Sequence, residues 1–191
     1  MPKWKLTLAD TAVALLLITV AAAGRMVWHP AQVAPVAAAA LFAGFYLRSR
    51  WLALCVPLAA MAISDAWIGV YNFKIMTAVY LGLCVPVLLA TILRRDLSLP
   101  RLIGCSLVAS VIHFLLSNWA EWAYGSMYTH DAEGLMLCFY QALPFFRNTM
   151  AGDLLWTSVF FAVHGLIASR WRLTPPSFET FDTLAPVKVR K

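Results

Sequence analysis

Long apolar runs, separated by short segments that carry most of the charge, dominate this sequence of 191 residues. Hydrophobic residues make up 62% of the chain and charged residues only 13%, whereas soluble domains contain about 25% charged residues. So little charge cannot cover the surface of a water-soluble fold, and the high apolar content also excludes a disordered chain. The composition therefore predicts an all-α integral membrane protein.

A helix needs about 20 apolar residues to cross the hydrocarbon core of a bilayer. The sequence predicts six such spans, which in chain order are 8–24, 33–47, 51–71, 75–93, 102–122 and 154–168. A further apolar segment, 135–146, is nearer the length of a re-entrant or interfacial element. We therefore expect a bundle of six transmembrane helices, with this short segment between the fifth and sixth spans. Residues 1–170 would form this single membrane domain, and residues 171–191 an extended cytoplasmic tail.

The basic residues indicate how the bundle is oriented. When both termini are placed in the cytoplasm, all but three of the 15 lysines and arginines fall on the cytoplasmic side. The three exceptions are Arg25, Lys74 and Arg147. This bias follows the positive-inside rule and predicts a multi-pass protein of the bacterial inner membrane with both termini cytoplasmic.

The start of the chain also has the features of a signal peptide. Lys3 and Lys5 precede an apolar stretch that ends in Ala21-Ala-Ala-Gly24, which is similar to a cleavage site. The same alanines suit close packing between helices, and we expect the first helix to be retained. Cleavage would leave five spans and an external N-terminus.

Polar residues inside apolar spans are costly and mark functional sites, and here they gather in the outer half of the bundle. Amides, aromatic rings and a few charges that converge between helix ends are typical of a small-molecule site. The candidate substrate-binding residues are Asp65, Asn118, Trp119, Trp122, Tyr140, Arg147, Asn148 and Asp153. Trp119, Trp122 and Tyr140 would form apolar walls, Asn118 would supply amide hydrogen bonds, and Arg147 or Asp65 would supply charge. His130, Asp131 and Glu133 are expected to contact water and headgroups instead.

The segment from Tyr140 to Asp153 contains the largest number of these candidates. Pro144 predicts a break in any helix that begins near Gly134, and the irregular backbone would have to be buried or line a cavity. Asp153 would then lie at the start of the sixth span, where a helix N-terminus favours a carboxylate. An ion pair between Arg147 and Asp153 could be a structural clamp, or either group could contact ligand.

Other site types have little support in the sequence. It contains no P-loop, no dinucleotide-binding glycine motif and no zinc-ligand spacing, so we expect no enzyme activity, no cofactor, no metal and no nucleic-acid partner. His113 and His164 lie within spans and could ligate a haem, but hydrogen-bonded core histidines are the better interpretation. Ala39/Ala43 and Ala40/Gly44 have the small-xxx-small spacing that lets helices approach closely. We expect their partner helix to belong to the same chain, although another chain is the alternative.

The ordered motifs of the chain resemble an uncharacterised bacterial family of transport proteins. The motifs that carry the resemblance are the alanine-rich 35–44, Val56-Pro57, Ser64-Asp65, Ser117-Asn118-Trp119, Gly134 to Tyr140, Pro144-Phe-Phe-Arg147-Asn148-Thr149 and Gly152-Asp153. That family is similar to the substrate-binding S components of energy-coupling-factor vitamin transporters. The resemblance implies a six-helix bundle that captures a vitamin-like molecule on its outer side and associates with a membrane coupling subunit and two ATPases. In that group, small residues of the first helix dock onto the coupling subunit, and the candidates here are Ala9, Ala12, Ala14 and Ala21–Ala23.

The sequence therefore favours a membrane-embedded component, in contact with lipid, that binds or takes up an unknown small molecule. The alternative is a structural or assembly subunit of a larger membrane complex, in which the aromatic outer end is an interface. A third hypothesis, an integral-membrane enzyme, would need a polar cluster with perturbed pKa values in a water-filled cleft.

Overall fold

The computed structural model describes residues 7–28 and 32–171, and every regular element in this part of the chain is an α-helix. The helices in chain order are α1 Leu8–Trp28, α2 Val36–Tyr46, α3 Arg50–Ile68, α4 Phe73–Arg95, α5 Leu99–Tyr124 and α6 Ala132–Trp171. The predicted all-α class is confirmed. The predicted extended tail lies outside the described residues, apart from Trp171 at the end of α6.

Five of the six helices are long and apolar enough to cross a membrane. They are α1, α3, α4, α5 and α6, with 21, 19, 23, 26 and 40 residues. Large apolar side chains such as Leu16, Leu81 and Leu166 are exposed on them, which suits contact with lipid chains. The structure therefore agrees with a multi-pass membrane protein.

The second helix is much shorter than predicted. α2 has 11 residues and is about 16 Å long at 1.5 Å per residue, so the prediction of a full span over 33–47 was wrong. Pro35 precedes the helix, and proline disfavours helical backbone at the residue before it. Val33 and Ala34 are accordingly not helical. At the other end Leu47 has extended backbone, which ends α2 at Tyr46.

Short as it is, α2 forms the centre of the bundle and packs against each of the other five helices. Ala39, Ala40 and Ala43 are fully buried. A Cβ atom at Gly44 would lie only 2.7 Å from the carbonyl oxygen of Val87 in α4, so these two helices are in backbone contact. The small residues of α2 therefore serve packing within the chain, as predicted.

Hydrogen bonds between helix termini fix which helix ends lie together. Arg25 near the end of α1 bonds Asp65 near the end of α3. The Asn72 amide, which precedes α4, donates to the carbonyl oxygen of Tyr124 at the end of α5, at 3.0 Å. The ends of α1, α3 and α5 thus share one end of the bundle with the start of α4. We call it the outer end, following the predicted orientation, and the opposite end the inner end.

The short helix α2 fills only the inner half of the bundle. The Trp156 indole Nε1, near the middle of α6, donates to the carbonyl oxygen of Val33 at 3.0 Å, just before α2 begins. Arg94, at the inner end of α4, donates from Nε to the carbonyl oxygen of Gly44 at 2.6 Å. The outer half of the bundle therefore lacks a central helix, and the irregular segment 32–35 enters it instead.

The last helix is continuous where a break was predicted. α6 runs for 40 residues through Pro144, and the separate short segment and sixth span are one element, so the predicted interruption was wrong. Membrane helices tolerate proline when small local adjustments and neighbouring groups satisfy the freed carbonyl. Pro57 in α3 and Pro86 in α4 are also inside helices. At about 60 Å, α6 is roughly twice as long as the hydrocarbon core is thick.

The residues at the start of α6 are mainly exposed. Asp131 Oδ1 accepts the backbone N–H of Gly134 at 2.7 Å and the Thr129 hydroxyl at 2.9 Å. The hydrogen bond from Gly134, followed by that from Thr129, holds the pKa of Asp131 below its usual value. Asp131, His130 and Glu133 are all exposed, as the sequence predicted.

Candidate functional site

A chamber of about 310 Å³ occupies the outer half of the bundle, between α4, α5 and α6. It lies where α2 is missing, and the irregular segment before α2 reaches it through Gln32. Gln32 has a positive φ of 53°, an uncommon conformation for a residue other than glycine. Irregular backbone was predicted at Pro144, whereas the structure has it at residues 32–35, beside the chamber.

Polar residues of α5 line one wall of the chamber. His113, Ser117 and Glu121 recur every fourth residue and therefore share one face of the helix. Asn118, the next residue along from Ser117, also lines the chamber. Its Nδ2 donates to the carbonyl oxygen of Phe114 at 2.7 Å, which holds the side chain against the helix and fixes its orientation.

The other walls are mainly apolar. α4 contributes Ile75 and Val79, and α6 contributes Phe145, Phe146 and Thr149, together with the small Ala142. The Phe146 ring stacks on the Phe114 ring of α5 with their centroids 4.3 Å apart. This contact joins α5 and α6 beside the chamber, and it makes the site partly aromatic and partly polar.

His113 is held tightly by its neighbours. A Cβ atom at Gly82 of α4 would lie 3.0 Å from His113 Nδ1, so the glycine makes room for the imidazole ring. Nδ1 is buried and has no hydrogen-bond partner among the described residues. Within residues 7–28 and 32–171, this nitrogen therefore lacks the hydrogen bond that was predicted for a core histidine. His164, the other predicted core histidine, packs against the rings of Phe42 and Phe45.

A buried polar cluster lies on the inner side of the chamber, between α5 and α6. Asp153 is only 4% exposed and accepts the Ser110 hydroxyl at 2.6 Å. Ser106 and Thr157 face each other one turn further in, with their hydroxyl oxygens 3.4 Å apart. Asp153 is one turn from Thr149 of the chamber lining, but it does not itself line the chamber.

The position of Asp153 corrects two predictions. It lies near the middle of α6 and not at a helix start. Its side chain bonds Ser110, while Arg147 is exposed, and the described residues contain no Arg147–Asp153 ion pair. The clamp was predicted on the assumption that Pro144 ends a helix. In a continuous helix, residues six apart point in different directions.

Asp65 belongs to a separate buried network near the outer end of α1, α3 and α4. Arg25 Nη1 donates to Asp65 Oδ1 at 2.5 Å and to the Ser64 hydroxyl at 2.7 Å. The Tyr80 hydroxyl donates to Asp65 Oδ2 at 2.9 Å. Because its oxygens are bonded within the protein and its side chain is 2% exposed, Asp65 acts as a link between helices in this structure.

The predicted aromatic walls lie outside the chamber. Trp119 is exposed and packs edge-on against Tyr124. The Trp122 indole donates to the carbonyl oxygen of Thr129 at 3.0 Å. Tyr140 lies on an exposed face of α6, beside an open groove. Asn148, like Arg147, is exposed on α6. Of the eight predicted site residues, only Asn118 lines the chamber.

Most residues of the chamber lining were not among the predicted site residues. The polar ones are Gln32, His113, Ser117, Glu121 and Thr149. A signal for three of them was present, since His113, Ser117 and Glu121 are spaced every fourth residue in α5. The short second apolar run and its flanking prolines could also have indicated that the centre of the bundle is only half filled.

No group of three metal-ligating side chains occurs within the described ranges 7–28 and 32–171. The four cysteines are all free thiols, and Cys105 and Cys138 are buried. The chamber has a partly polar and partly apolar lining.

The fold and the chamber together define a helical, multi-pass membrane protein with a cavity large enough for a small molecule. The chain belongs to the family of unknown function DUF6580, whose model matches residues 5–177. No curated protein and no solved structure matches the chain. The resemblance to S components therefore stays a prediction.

Proposed function

We propose that this protein is a membrane-embedded component that binds a small, vitamin-like molecule and takes it up from the outer side. The observation that carries the proposal is the chamber beside α4, α5 and α6, which forms because α2 fills only half of the bundle. Its volume of about 310 Å³ lies at the lower end of the range for ligand sites. A few polar groups on a mainly apolar wall are also typical of such sites.

The proposed mechanism is capture without chemical conversion. Asn118 and Ser117 offer hydrogen-bonding groups, and Phe114, Phe145 and Phe146 offer apolar and aromatic contact area. Binding would take place within the outer half of the bundle, above the closely packed helix α2. Passage to the inner side would need either reorientation of the bundle or an external source of energy.

The proposed setting is that of an S component in a bacterial inner membrane, with both termini cytoplasmic. The basic residues Arg48, Arg95, Arg101 and Arg170 lie toward the inner end and are exposed, in keeping with that orientation. A membrane coupling subunit with two ATPases would then supply energy. On α1, Ala9, Ala12 and Ala23 are exposed and could contact such a subunit, whereas Ala14, Ala21 and Ala22 pack inside the bundle.

Mass spectrometry of the purified protein tests the proposal. The full chain is extracted in mild detergent, and small molecules that are released on denaturation are identified and quantified. We expect a specific molecule to be retained by the wild type and by Trp119→Leu. Retention by Asn118→Leu should fall about tenfold, because a hydrogen bond of about 1.4 kcal/mol is lost.

Trp119→Leu is the matched control, because Trp119 is adjacent in sequence but lies outside the chamber. Equal retention by both variants would place binding elsewhere in the protein. A wild-type preparation without any specific small molecule would contradict the proposal.

A second candidate function, an assembly subunit of a larger membrane complex, has one observation in its favour. The outer part of α6 presents an exposed apolar groove of about 630 Å³, with Met136 and Tyr140 each 72% exposed. A purified monomer that retains a small molecule would favour the binding component. Obligate co-purification with other membrane subunits would favour the assembly role.

A further inference from the structure

The chamber is negatively charged. Glu121 is the one charged side chain among the described residues that line it. Its carboxylate folds over Gly125, where the absence of a side chain leaves room for Oε1. The two ion pairs found within residues 7–28 and 32–171 are Arg25–Asp65 and Arg101–Asp96, and neither involves Glu121.

The cationic side chains near the outer end are engaged elsewhere or face away. Arg25 is bonded to Asp65 and Ser64. The Lys74 ammonium group lies 4.8 Å from the centroid of the Tyr124 ring. Arg147 is exposed and is not part of the chamber lining. Within the described part of the chain, Glu121 therefore forms no ion pair.

The position of Glu121 in its helix makes a bound cation more favourable still. Glu121 lies in the last turn of α5, which contains no basic residue. The C-terminal end of a helix carries a partial negative charge, which stabilises cations and repels carboxylates. A cation in the chamber would relieve this repulsion as well as pair with the carboxylate.

Three neutral side chains of the chamber have a donor group bonded to the backbone and an oxygen that can accept a hydrogen bond. Ser117 Oγ and Asn118 Nδ2 both donate to the carbonyl oxygen of Phe114, at 3.3 Å and 2.7 Å. The Thr149 hydroxyl donates to the carbonyl oxygen of Phe145 at 3.1 Å. Lone pairs on the oxygens of Ser117, Asn118 and Thr149 remain for a ligand that donates hydrogen bonds, while Asn118 keeps a second amide N–H as a donor.

We propose that the chamber selects a protonated amine carried on an apolar, ring-sized framework, with the Glu121 carboxylate as its counter-ion. The ammonium group donates hydrogen bonds to Glu121 and to the oxygens of Ser117 and Asn118. The framework packs against Phe145 and Phe146, whose rings also attract cations through their π faces. This inference rests on the proposed binding function and names the chemical class of its ligand.

The test compares three probes that share a phenyl ring and differ in the charge of the head group. They are phenethylammonium, phenethyl alcohol and phenylacetate, titrated at neutral pH against the full chain in detergent. Unfolding is followed with a thiol-reactive fluorophore in a Cys55→Ser, Cys84→Ser background, because Cys55 is exposed and Cys84 half-buried, whereas Cys105 and Cys138 are buried in the folded protein. We expect phenethylammonium to bind about tenfold more tightly than the alcohol, because a hydrogen bond between charged groups is stronger than one between neutral groups, and phenylacetate to bind most weakly.

Two isosteric variants locate the charge that is responsible. Glu121→Gln should remove the preference for the cation, whereas Glu133→Gln, which neutralises an exposed carboxylate of α6, should leave it unchanged. Comparing each probe between variants cancels its partitioning into detergent. If Glu121→Gln does not fold, the order of the three probes on the wild type still decides the question.

The inference is overturned if the alcohol binds the wild type as tightly as the cation, if no probe binds, or if folded Glu121→Gln keeps the preference. The proposed function is decided separately, by the retained small molecule and its loss in Asn118→Leu. A retained neutral or anionic molecule would therefore refute the ligand class while leaving the binding function in place.

Discussion

Replacing Asp65 with leucine is expected to destabilise the protein by about 3–5 kcal/mol, because it leaves the Arg25 guanidinium buried without its counter-ion. The Arg25 and Asp65 side chains are 13% and 2% exposed, and their closest atoms are 2.5 Å apart. The change removes the bonds that Arg25 and Tyr80 donate to Asp65. Arg25 would keep its bond to Ser64, which is neutral and cannot balance the charge.

Two further variants grade this effect. Asp65→Asn keeps an oxygen acceptor for Arg25 and should cost less, about 1–3 kcal/mol, since only the charge and one acceptor site are lost. The double variant Arg25→Met with Asp65→Leu removes both charges. It should recover most of the loss seen in Asp65→Leu, because apolar residues of similar volume often replace a buried ion pair without net cost.

The free energy of unfolding can be measured for all four proteins by reversible titration with a denaturing detergent in mixed micelles. Small-molecule retention, measured in parallel, should be unchanged in the double variant because neither residue lines the chamber. A loss below about 1 kcal/mol in Asp65→Leu, or a double variant no more stable than Asp65→Leu, would refute the assignment of a buried, mutually dependent pair.

Two further predictions concern helix packing and a helix start. Gly44→Ala should cost about 1–3 kcal/mol, because its Cβ would lie 2.7 Å from the Val87 carbonyl oxygen. Gly165→Ala is the control, because the space around Gly165 is open, and it should be neutral or stabilising. Equal effects of Gly44→Ala and Gly165→Ala in the same unfolding titration would contradict the close packing of α2 against α4. The hydrogen bonds that lower the pKa of Asp131 stabilise the start of α6 at pH values above the ordinary carboxyl pKa. This stabilisation is lost as the pH falls through the lowered pKa. Hydrogen exchange of the Gly134 amide, corrected for the intrinsic rate, should therefore rise in acid in the wild type but not in Asp131→Asn. A corrected exchange rate that does not change with pH in the wild type would refute the role of Asp131 as a helix cap.

Much of the fold followed from the sequence because hydrocarbon imposes simple rules. Runs of apolar residues predicted the positions of α1, α3, α4 and α5, since a crossing helix must satisfy its own backbone hydrogen bonds and present apolar side chains. The helix starts at Ser49 and Asn72, whose side chains accept backbone N–H groups, are local features of the kind that short-range chemistry determines.

The errors arose where neighbours override local preference. Pro144 suggested a break, but α6 is continuous through it, and Pro144 lies on an exposed side of the helix. Hydropathy could not give the length of α2, because the apolar character of residues 33–35 suits both a helix and an irregular segment inside a protein core. Pro35 was the local signal that distinguished the two.

The candidate site was the hardest part to predict. Asp65 and Glu121 are both acidic residues near the outer end of a helix, and the sequence does not show that Arg25 pairs with the first and leaves the second. Which acid pairs with Arg25 depends on which helices are neighbours in the bundle. Arg25 and Asp65 are 40 positions apart, and hydropathy and motif spacing do not show contacts at that distance along the chain. The aromatic chemistry of Trp119 suits a binding site, but its position on α5 leaves it outside the chamber.

The central position of α2 has a consequence for how the chain tolerates change. On a lipid-facing surface, one large apolar residue can replace another with little effect, since acyl chains rearrange around it. α2 is surrounded almost entirely by protein, and Ala39, Ala40 and Ala43 are fully buried. There the volume of a side chain decides whether a substitution is accepted, and the shortest helix should be the segment with the narrowest range of viable residues.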